Sequence, residues 1–285
     1  MMNETSKQSS VEHYDLVIVG GGMVGISLAL LLAQQQSDWK VLLLEAQAYD
    51  SSGVHSPSFD SRSTALSWSS RKIFQAAGLW SALESHTSAI NNIHVSDRGH
   101  IGLTRISAEE AGVEALGYVI ENRWIGAGLL DKLAATSVAM MAPERVAKIT
   151  PLKSGVRVDL ENSGDSIQAS LLVIADGANS QTAQKLGIHS DQQPYGQQGI
   201  IANIGLQEAH NGVAYERFTD QGPMAMLPLP DFEGSPRCAL VWTQPPERAA
   251  ELIAASDKEF LTALAITLPC IGLFFYVLFA QFGGY

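Results

Sequence analysis

Cysteine is scarce in this chain, and so are the patterns that usually mark a disulfide framework or a metal centre. The two cysteines, Cys238 and Cys270, stand in no CxxC spacing, and the seven histidines form no HExxH pattern. We therefore predict no disulfide framework and no bound metal. A Walker loop and a GxSxG nucleophile elbow are also missing, so the sequence alone names no catalytic acid, base or nucleophile.

Positive charge is also in short supply, because 18 basic residues stand against 29 acidic ones, for a formal net charge of -11. An acidic chain gains no long-range attraction to phosphate backbones, so we expect no nucleic-acid partner.

The first ten residues are polar and carry no apolar stretch of the secretory type, so we expect the N-terminus to stay in the cytoplasm. With 46% apolar and 16% charged residues among 285, the chain has the composition of a globular protein.

The most informative positive feature is a glycine cluster close to the N-terminus. Residues 15–19 are typical of a buried strand, 23–36 of a helix and 40–45 of a second buried strand, which together make one βαβ unit. The glycines between the first strand and the helix give G-x-G-x-x-G, the pattern that brings main chain close to a pyrophosphate at a helix N-terminus. The residues predicted to contact a dinucleotide at this turn are Gly20, Gly21, Gly22, Met23, Val24 and Gly25.

The second strand ends in an acid, Glu45, followed by Ala46. A carboxylate there accepts hydrogen bonds from ribose hydroxyls and repels a 2′-phosphate, so FAD or NAD fits as the bound dinucleotide and NADP does not. The fingerprint alone does not separate FAD from NAD. The alternative is a plain βαβ unit in which Glu45 is only a solvated strand end.

Later segments carry local signals of further elements. We predict a helix over residues 66–77 ended by Gly78, and a hairpin at the Asp-Arg-Gly of 97–99. Short strands separated by Gly and Pro turns over 195–245 indicate an antiparallel sheet. Residues 256–259 fit a capping box that opens a last helix.

Seven stretches, in order, resemble one family of flavoenzymes. They are VGGGMVG (19–25), LLEA (43–46), FDSRSTAL (59–66), HVSDRGH (94–100), LLVIADGANS (171–180), PYGQQGIIANI (194–204) and ERFTDQGPMAMLPLP (216–230). With them the chain resembles the class A flavoprotein monooxygenases, and most closely the ubiquinone-biosynthesis hydroxylases of the UbiH type. The resemblance covers residues from about 13 to 264 and selects FAD over NAD as the bound dinucleotide.

The resemblance also implies roles for later residues. Arg62 would contact the flavin; the alternative is a loop arginine that is solvated or paired with Asp60. Asp176 and Gly177 match the family's second fingerprint, linked to FAD and the nicotinamide donor, although an ordinary Asp-Gly turn would look the same. The residues that would line the substrate side of the flavin are Met226, Leu227 and Pro228.

The function that the resemblance implies is FAD-dependent hydroxylation of a polyprenyl phenol in ubiquinone biosynthesis, with NAD(P)H as electron donor and dioxygen, through a flavin 4a-hydroperoxide. Such a substrate lies in the membrane, so we expect contact with the inner face of the cytoplasmic membrane and with other ubiquinone-biosynthesis proteins. Three alternatives stay open: an FAD-binding remnant without hydroxylase activity, a flavin reductase or oxidase, and an NAD-dependent dehydrogenase.

The expected architecture is α/β. We expect a doubly wound Rossmann-like FAD-binding domain over 13–185, interrupted by a β insertion around 88–118, and an interleaved antiparallel β-sheet substrate domain over 186–255. Some family features are missing: Ala183 stands where an arginine is usual, Ala127 and Gly128 stand where Gln or Arg faces the flavin, and no third flavin motif follows residue 264. We therefore expect the substrate domain to be incomplete.

Residues 260–285 contain no charged residue and are apolar almost throughout. A helix of about 22 residues would span roughly 33 Å, enough for a membrane anchor, although Pro269 and Gly272 weaken it. The alternative is a frameshifted or rearranged gene end that replaced the family sequence.

Overall fold

The computed structural model describes residues 11–36, 38–49 and 59–267, together with the backbone of 275–279. Its helices are α1 (Met23–Gln35), α2 (Trp68–Ala76), α3 (Trp80–Leu83), α4 (Asn122–Ala134), α5 (Gln181–Lys185), α6 (Pro246–Ala254) and α7 (Asp257–Thr267). Its strands are β1 (Glu12–Val19), β2 (Val41–Leu44), β3 (Ser63–Ser67), β4 (Thr87–Ile90), β5 (Asn92–Asp97), β6 (Leu103–Ser107), β7 (Gly117–Glu121), β8 (Ala139–Met141), β9 (Val146–Leu152), β10 (Gly155–Leu160), β11 (Ser166–Ile174), β12 (Gln198–Leu206), β13 (Val213–Phe218), β14 (Met224–Phe232), β15 (Ser235–Gln244) and β16 (Phe275–Phe279).

The chain divides into two compact units, and each is discontinuous. The first comprises Met1–Ser58 and Gly126–Asp191, and the second comprises Phe59–Ile125 and Gln192–Tyr285. The segment that interrupts the first unit is therefore longer than the insertion expected around 88–118. The physical reason is strand pairing, because β3 and β4 both pair with β7 and so belong to the second unit.

The first unit is built on one six-stranded sheet in the order β8-β2-β1-β11-β10-β9. The strands β8, β2, β1 and β11 are parallel, and β10 and β9 continue the sheet in antiparallel fashion. Val19 pairs with Leu44 on one side and with Ile174 on the other, so these three strands end side by side. This order and the parallel pairing confirm the predicted βαβ unit and Rossmann-like fold. The sequence predicted them because strands of a parallel sheet, such as β2, are buried along their whole length and are therefore continuously apolar.

The second unit contains a seven-stranded sheet in the order β16-β12-β15-β14-β13-β5-β6 and a three-stranded sheet in the order β3-β7-β4. Helices α6 and α7 pack on one face of the large sheet, where Leu252 and Phe260 meet Leu240 and Trp242 in a buried cluster. On the opposite face, residues of β4 and β7 pack against β13, β14 and β15. The predicted antiparallel sheet is thus observed over β12, β14 and β15.

Three local predictions are also confirmed. Helix α2 is followed by Gly78, whose φ of 67° is the left-handed conformation expected at a helix end. Strands β5 and β6 form the predicted antiparallel hairpin. The capping box is present, since the Ser256 N–H donates to Glu259 Oε2 at 2.9 Å and the Glu259 N–H donates to Ser256 Oγ at 3.4 Å.

A single helix over 260–285 is wrong. Helix α7 ends at Thr267, and Phe275–Phe279 form β16, which pairs antiparallel with β12. Apolar composition suits a buried strand as well as a helix, so hydropathy alone could not decide between them. Residues 268–274 and 280–285, including Cys270, lie outside the described part of the chain, and no helix within that part is long and apolar enough to cross a membrane.

Candidate functional site

The glycine turn joins the end of β1 to the start of α1 in the first unit. Gly20 has a φ of 110°, and a side chain there would collide with the carbonyl group of Ala175. A side chain at Gly25 would collide with the carbonyl oxygen of Gly20, so this glycine permits close packing of helix on turn. These two glycines are required by the fold itself.

Gly22 differs from its neighbours because its backbone conformation does not require glycine. It is the N-cap of α1, with φ -76° and ψ -174°, and it offers no side-chain hydrogen bond to the helix. The first turn contains no acidic residue, and Val24 within it is 72% exposed. The first N–H groups of a helix have no partners within the helix and carry partial positive charge, so this end suits an anionic ligand.

Glu45 is held directly against this turn. Its Oε2 accepts a hydrogen bond from the Gly21 N–H at 2.7 Å, and its Oε1 accepts one from the Gln47 N–H at 2.9 Å. The Glu45 backbone is fixed as well, since its N–H donates to the Met141 carbonyl and its carbonyl accepts from the Glu144 N–H. Each carboxylate oxygen keeps lone pairs for a further donor, as binding of a ribose hydroxyl requires. Ala46, the next residue, is half-buried.

Tyr49 is a contributor to this turn that sequence reasoning missed. Its hydroxyl donates to the Gly21 carbonyl at 2.6 Å. Burial, together with the negative charge of Glu45, raises the pKa of Tyr49 well above its usual range. The side chain therefore stays a neutral donor and fixes the peptide group that joins Gly21 to Gly22, while Glu45 fixes the one that joins Gly20 to Gly21. Its only sequence signal is its position four residues after Glu45.

Asp176 follows the end of β11, on the strand next to β1. Its Oδ2 accepts a hydrogen bond from the Thr182 N–H at 3.2 Å, whereas its Oδ1 is buried and has no hydrogen-bond partner among the described residues. A buried carboxylate oxygen without a donor is unfavourable, so this atom suits a hydroxyl donated by a ligand. Gly177 has a φ of 88° and open space around it. Ala183, at the family's arginine position, donates its N–H to the cap residue Ser180.

Arg62 lies in the second unit, in the short segment before β3. Its backbone N–H donates to Asp60 Oδ1 at 2.9 Å, and its Nε donates to Asp60 Oδ2 at 2.5 Å. The segment is anchored to the start of α4, because the Asn122 N–H donates to the Arg62 carbonyl and the Arg123 N–H donates to the Asp60 carbonyl. The pairing with Asp60 that we considered as an alternative is thus present, and contact of Arg62 with flavin stays a prediction.

A buried ionic cluster lies close to this segment and was not foreseen. Glu121, at the end of β7, is 2% exposed and accepts hydrogen bonds from Arg237 at 3.1 and 3.3 Å. Arg123 donates to the same carboxylate at 2.7 Å. Asn203 lies 3.5 Å from Glu121 Oε1 and 3.4 Å from the Ser61 carbonyl. The cluster therefore joins the three-stranded sheet to β12 and β15 of the large sheet.

The predicted substrate-side residues occupy consecutive positions of β14, and strand alternation separates them. Met226 is 2% exposed and belongs to the core beneath α6 and α7. Leu227 points to the other face, where it packs with Ala239 and Val119. Because successive side chains of a strand point to opposite faces, Met226 and Pro228 cannot share one lining surface with Leu227.

The described residues contain no group of three or more His, Cys, Asp and Glu side chains that could hold a metal ion. Cys238 is buried on β15, and burial raises the pKa of its thiol, which makes it a packing residue and not a nucleophile.

Comparison with known proteins identifies the dinucleotide. The family described as the FAD binding domain matches residues 13–265, which is most of the chain. The chain belongs to this family. Ubiquinone hydroxylase UbiL of Rhodospirillum rubrum is 31% identical over 252 residues, covering 88% of this chain and 56% of that protein. The mitochondrial ubiquinone biosynthesis monooxygenase COQ6 of Caenorhabditis elegans is 33% identical over 268 residues, covering 90% and 58%.

This FAD binding domain also has structural counterparts. The crystal structure of P. aeruginosa PqsL in complex with 2-aminobenzoylacetate superposes with a TM-score of 0.75 at 21% identity, over 96% of this chain and 73% of that one. At this identity the likeness establishes the fold alone. The predicted kinship with FAD-dependent ubiquinone hydroxylases is confirmed, while the chain spans less than three-fifths of the length of the two relatives named above.

The residues of the first unit fit FAD. Gly22 is the N-cap of α1 in a conformation that does not require glycine, and the fixed carboxylate of Glu45 keeps lone pairs that would suit a ribose hydroxyl. The unpartnered oxygen of Asp176 offers a further acceptor at the neighbouring strand end.

Proposed function

We propose that this chain holds FAD and serves the hydroxylation of a prenylated phenol in ubiquinone biosynthesis, with NAD(P)H as electron donor and dioxygen as oxygen source. The observation that carries the proposal is the glycine turn at Gly22, with the fixed Glu45 carboxylate and the unpartnered Asp176 oxygen at adjacent strand ends. The relatives named for ubiquinone biosynthesis support the substrate class.

Each residue of the first unit has a defined task in this proposal. The N–H groups at the start of α1, from Met23 to Gly25, take the pyrophosphate, because the first N–H groups of a helix have no partner within it and are positively polarised, whereas the Ile26 N–H already donates to Gly22. Glu45 takes a ribose hydroxyl while the Gly21 N–H keeps its carboxylate in place. Asp176 Oδ1 accepts a hydrogen bond from another hydroxyl of the dinucleotide. FAD, when bound, supplies the transfer of electrons from NAD(P)H to dioxygen.

One experiment distinguishes the hydroxylase from the alternative of an FAD-binding protein without hydroxylase activity. Purified full chain would be scanned for flavin absorbance at about 450 nm, with and without added FAD. It would then be mixed with NADH and 2-prenylphenol, and the product examined by mass spectrometry.

Flavin absorbance together with a product that carries one added oxygen atom supports the proposal. Flavin absorbance without product supports the remnant, and peroxide release without product supports a reductase or oxidase. Absence of flavin absorbance after addition of FAD contradicts the proposal altogether.

We also propose that the chain contacts the inner face of the cytoplasmic membrane, since a polyprenyl phenol dissolves there, and that it meets other ubiquinone-biosynthesis proteins. A net charge of -11 disfavours attraction to anionic headgroups, so we expect apolar residues to make any such contact. Flotation with neutral liposomes, using the chain with and without residues 268–285, which follow α7, tests this. Equal flotation of both removes the idea that this segment is an anchor.

A further inference from the structure

Glu216 occupies an unusual place on β13 in the second unit. The preceding residue, Tyr215, packs against the core beneath α6 and α7. Because side chains alternate along a strand, Glu216 points to the opposite face of the seven-stranded sheet. The side chain is half-buried.

Strand pairing places apolar residues across the sheet on both sides of Glu216. It pairs with Val95 on β5 and with Ala225 on β14. Ala225 pairs with Val241 on β15, which pairs in turn with Ile201 on β12. All four of these residues are half-buried. Five adjacent strands therefore form an apolar strip with one carboxyl group in it.

The strip borders a part of the same face that is covered. Two residues away along the strands, Ala214 and Ala239 are buried beneath Ile90 and Val119 of the three-stranded sheet. The strip itself is less enclosed. The strip lies on the face of the sheet to which Ala225 and Leu227 of β14 point. This is the strand that we expected to line the substrate.

The carboxyl group of Glu216 has no partner among the residues that the structure describes. Within the described part of the chain it makes no hydrogen bond or ion pair, and burial raises its pKa. On the neighbouring strand β5, the charged residue that faces the same way is Asp97. It lies two residues beyond Val95 and is exposed. A carboxylate on an apolar surface is stabilised when a ligand donates a hydrogen bond to it.

We propose that Glu216 accepts a hydrogen bond from the phenolic hydroxyl of the substrate, whose ring lies on the strip formed by Val95, Ala225, Val241 and Ile201. This inference rests on the proposed function, because it takes the substrate to be a phenol. The O–H bond stays intact, and its hydrogen points at a carboxylate oxygen. The negative charge beside the hydroxyl raises electron density on the ring, which favours transfer of oxygen to a ring carbon.

The hydrogen bond should produce a preference for phenols over their ethers. A hydrogen bond to a charged group is worth roughly one to two powers of ten in affinity, so we expect the phenol to bind at least about tenfold more tightly. An O-methyl ether keeps the ring and the prenyl chain and loses only the donor.

The test uses the full chain and measures binding of 2-prenylphenol and of its O-methyl ether by calorimetry. The variants are Glu216→Leu, which removes the acceptor, and Glu216→Gln, which keeps the shape and removes the charge. Glu208→Gln, at an exposed position of the same unit, is the control for loss of one negative charge. Equal melting temperatures exclude unfolding as the cause of any change.

We expect the wild type and Glu208→Gln to prefer the phenol about tenfold, Glu216→Gln to show a smaller preference, and Glu216→Leu to bind both probes equally. An unchanged preference in Glu216→Leu, or no preference in the wild type, overturns the inference. A flavin scan of the same samples separates it from the proposed function. A chain without flavin that still loses its phenol preference in Glu216→Leu supports the inference and contradicts the proposed function.

Discussion

The buried pair of Glu121 and Arg237 gives the sharpest test of how the second unit is held together. We consider Glu121→Leu, which removes the acceptor of Arg237 and Arg123 without changing the size of the side chain greatly. Arg237 is 9% exposed; of its hydrogen bonds among the described residues it would keep the one from Nε to the Pro230 carbonyl at 2.8 Å, and its guanidinium would still lie over the Phe232 ring. Its two terminal nitrogens would be left buried without an anion.

Removing one partner of a buried ion pair costs about 3–5 kcal/mol of unfolding free energy, because an uncompensated charge remains in a low-dielectric interior. The substitution also removes the partner of Arg123. This second loss changes the unfolding free energy little, because the Arg123 side chain is 35% exposed and water can solvate its charge. Replacing both members of the pair removes the uncompensated charge. We therefore expect the double variant, Glu121→Leu with Arg237→Met, to have an unfolding free energy within about 2 kcal/mol of the wild type. It should be more stable than the single variant Glu121→Leu.

The assay is equilibrium urea unfolding followed by tryptophan fluorescence. It reports chiefly on the second unit, which contains Trp68, Trp80, Trp124 and Trp242. The matched control is Arg248→Met, which removes an arginine from a solvent-exposed ion pair with Glu251 in the same unit. If Glu121→Leu costs less than about 1 kcal/mol, or if the double variant is as unstable as the sum of the single ones, the reasoning fails.

Three further predictions concern the first unit. Tyr49→Phe should lower stability by about 0.5–1.5 kcal/mol in thermal or urea unfolding and weaken FAD binding by about threefold to tenfold, because the Gly21 carbonyl loses its donor; unchanged affinity would contradict this. Gly20→Ala should cost about 1–3 kcal/mol by the same assay, because φ is 110° and a side chain meets the Ala175 carbonyl; wild-type stability would contradict it. Although burial opposes ionisation, N–H bonds from Asn162, Arg145 and Ser163 hold the pKa of Glu144 below its ordinary value of 4.5. Its ionised form therefore stabilises the fold above that value, and this contribution is lost as pH falls through the lower folded pKa. Glu144→Gln should be less stable by about 1–3 kcal/mol at neutral pH, and urea titrations should show the gap narrowing below about pH 4; a gap that stays constant with pH would refute it.

Local sequence pattern was enough to predict the first βαβ unit. Strands β1 and β2 are apolar runs bounded by turn residues. The glycines between β1 and α1 form the G-x-G-x-x-G pattern, which in this position is typical of dinucleotide-binding proteins. The hairpin of β5 and β6 and the capping box at Ser256 followed from short-range signals in the same way.

Contacts between residues far apart in the chain could not be predicted in this way. Glu121 and Arg237 are separated by 116 positions, and nothing in the short segment around either residue indicates the other. Tyr49 lies 28 positions from Gly21 and is likewise invisible to a local pattern. The boundary of the second unit was missed for the same reason, since it depends on the pairing of β3 with β7.

Two other differences between prediction and structure concern the direction of side chains along a strand and the choice between helix and strand. Three consecutive residues of β14, from Met226 to Pro228, were expected on one surface, although a strand turns successive side chains to opposite faces. Uncharged apolar residues near the C-terminus were expected to form a helix, although part of them forms β16. Glu216 lies within a stretch that resembles the family, yet its place in an apolar strip emerged only from the strand register.

In the proposed function, the main chain at Gly22 receives the pyrophosphate of FAD. Because Gly22 has an ordinary extended conformation, we expect Gly22→Val to fold, with a loss of stability of about 1 kcal/mol from the poorer helix N-cap, which a melting curve checks. The decisive measurement is a titration of both proteins with FAD, followed by flavin fluorescence. We expect saturable binding near one FAD per chain in the wild type and a loss of at least about tenfold in affinity in Gly22→Val. Equal affinity of the two proteins would contradict it.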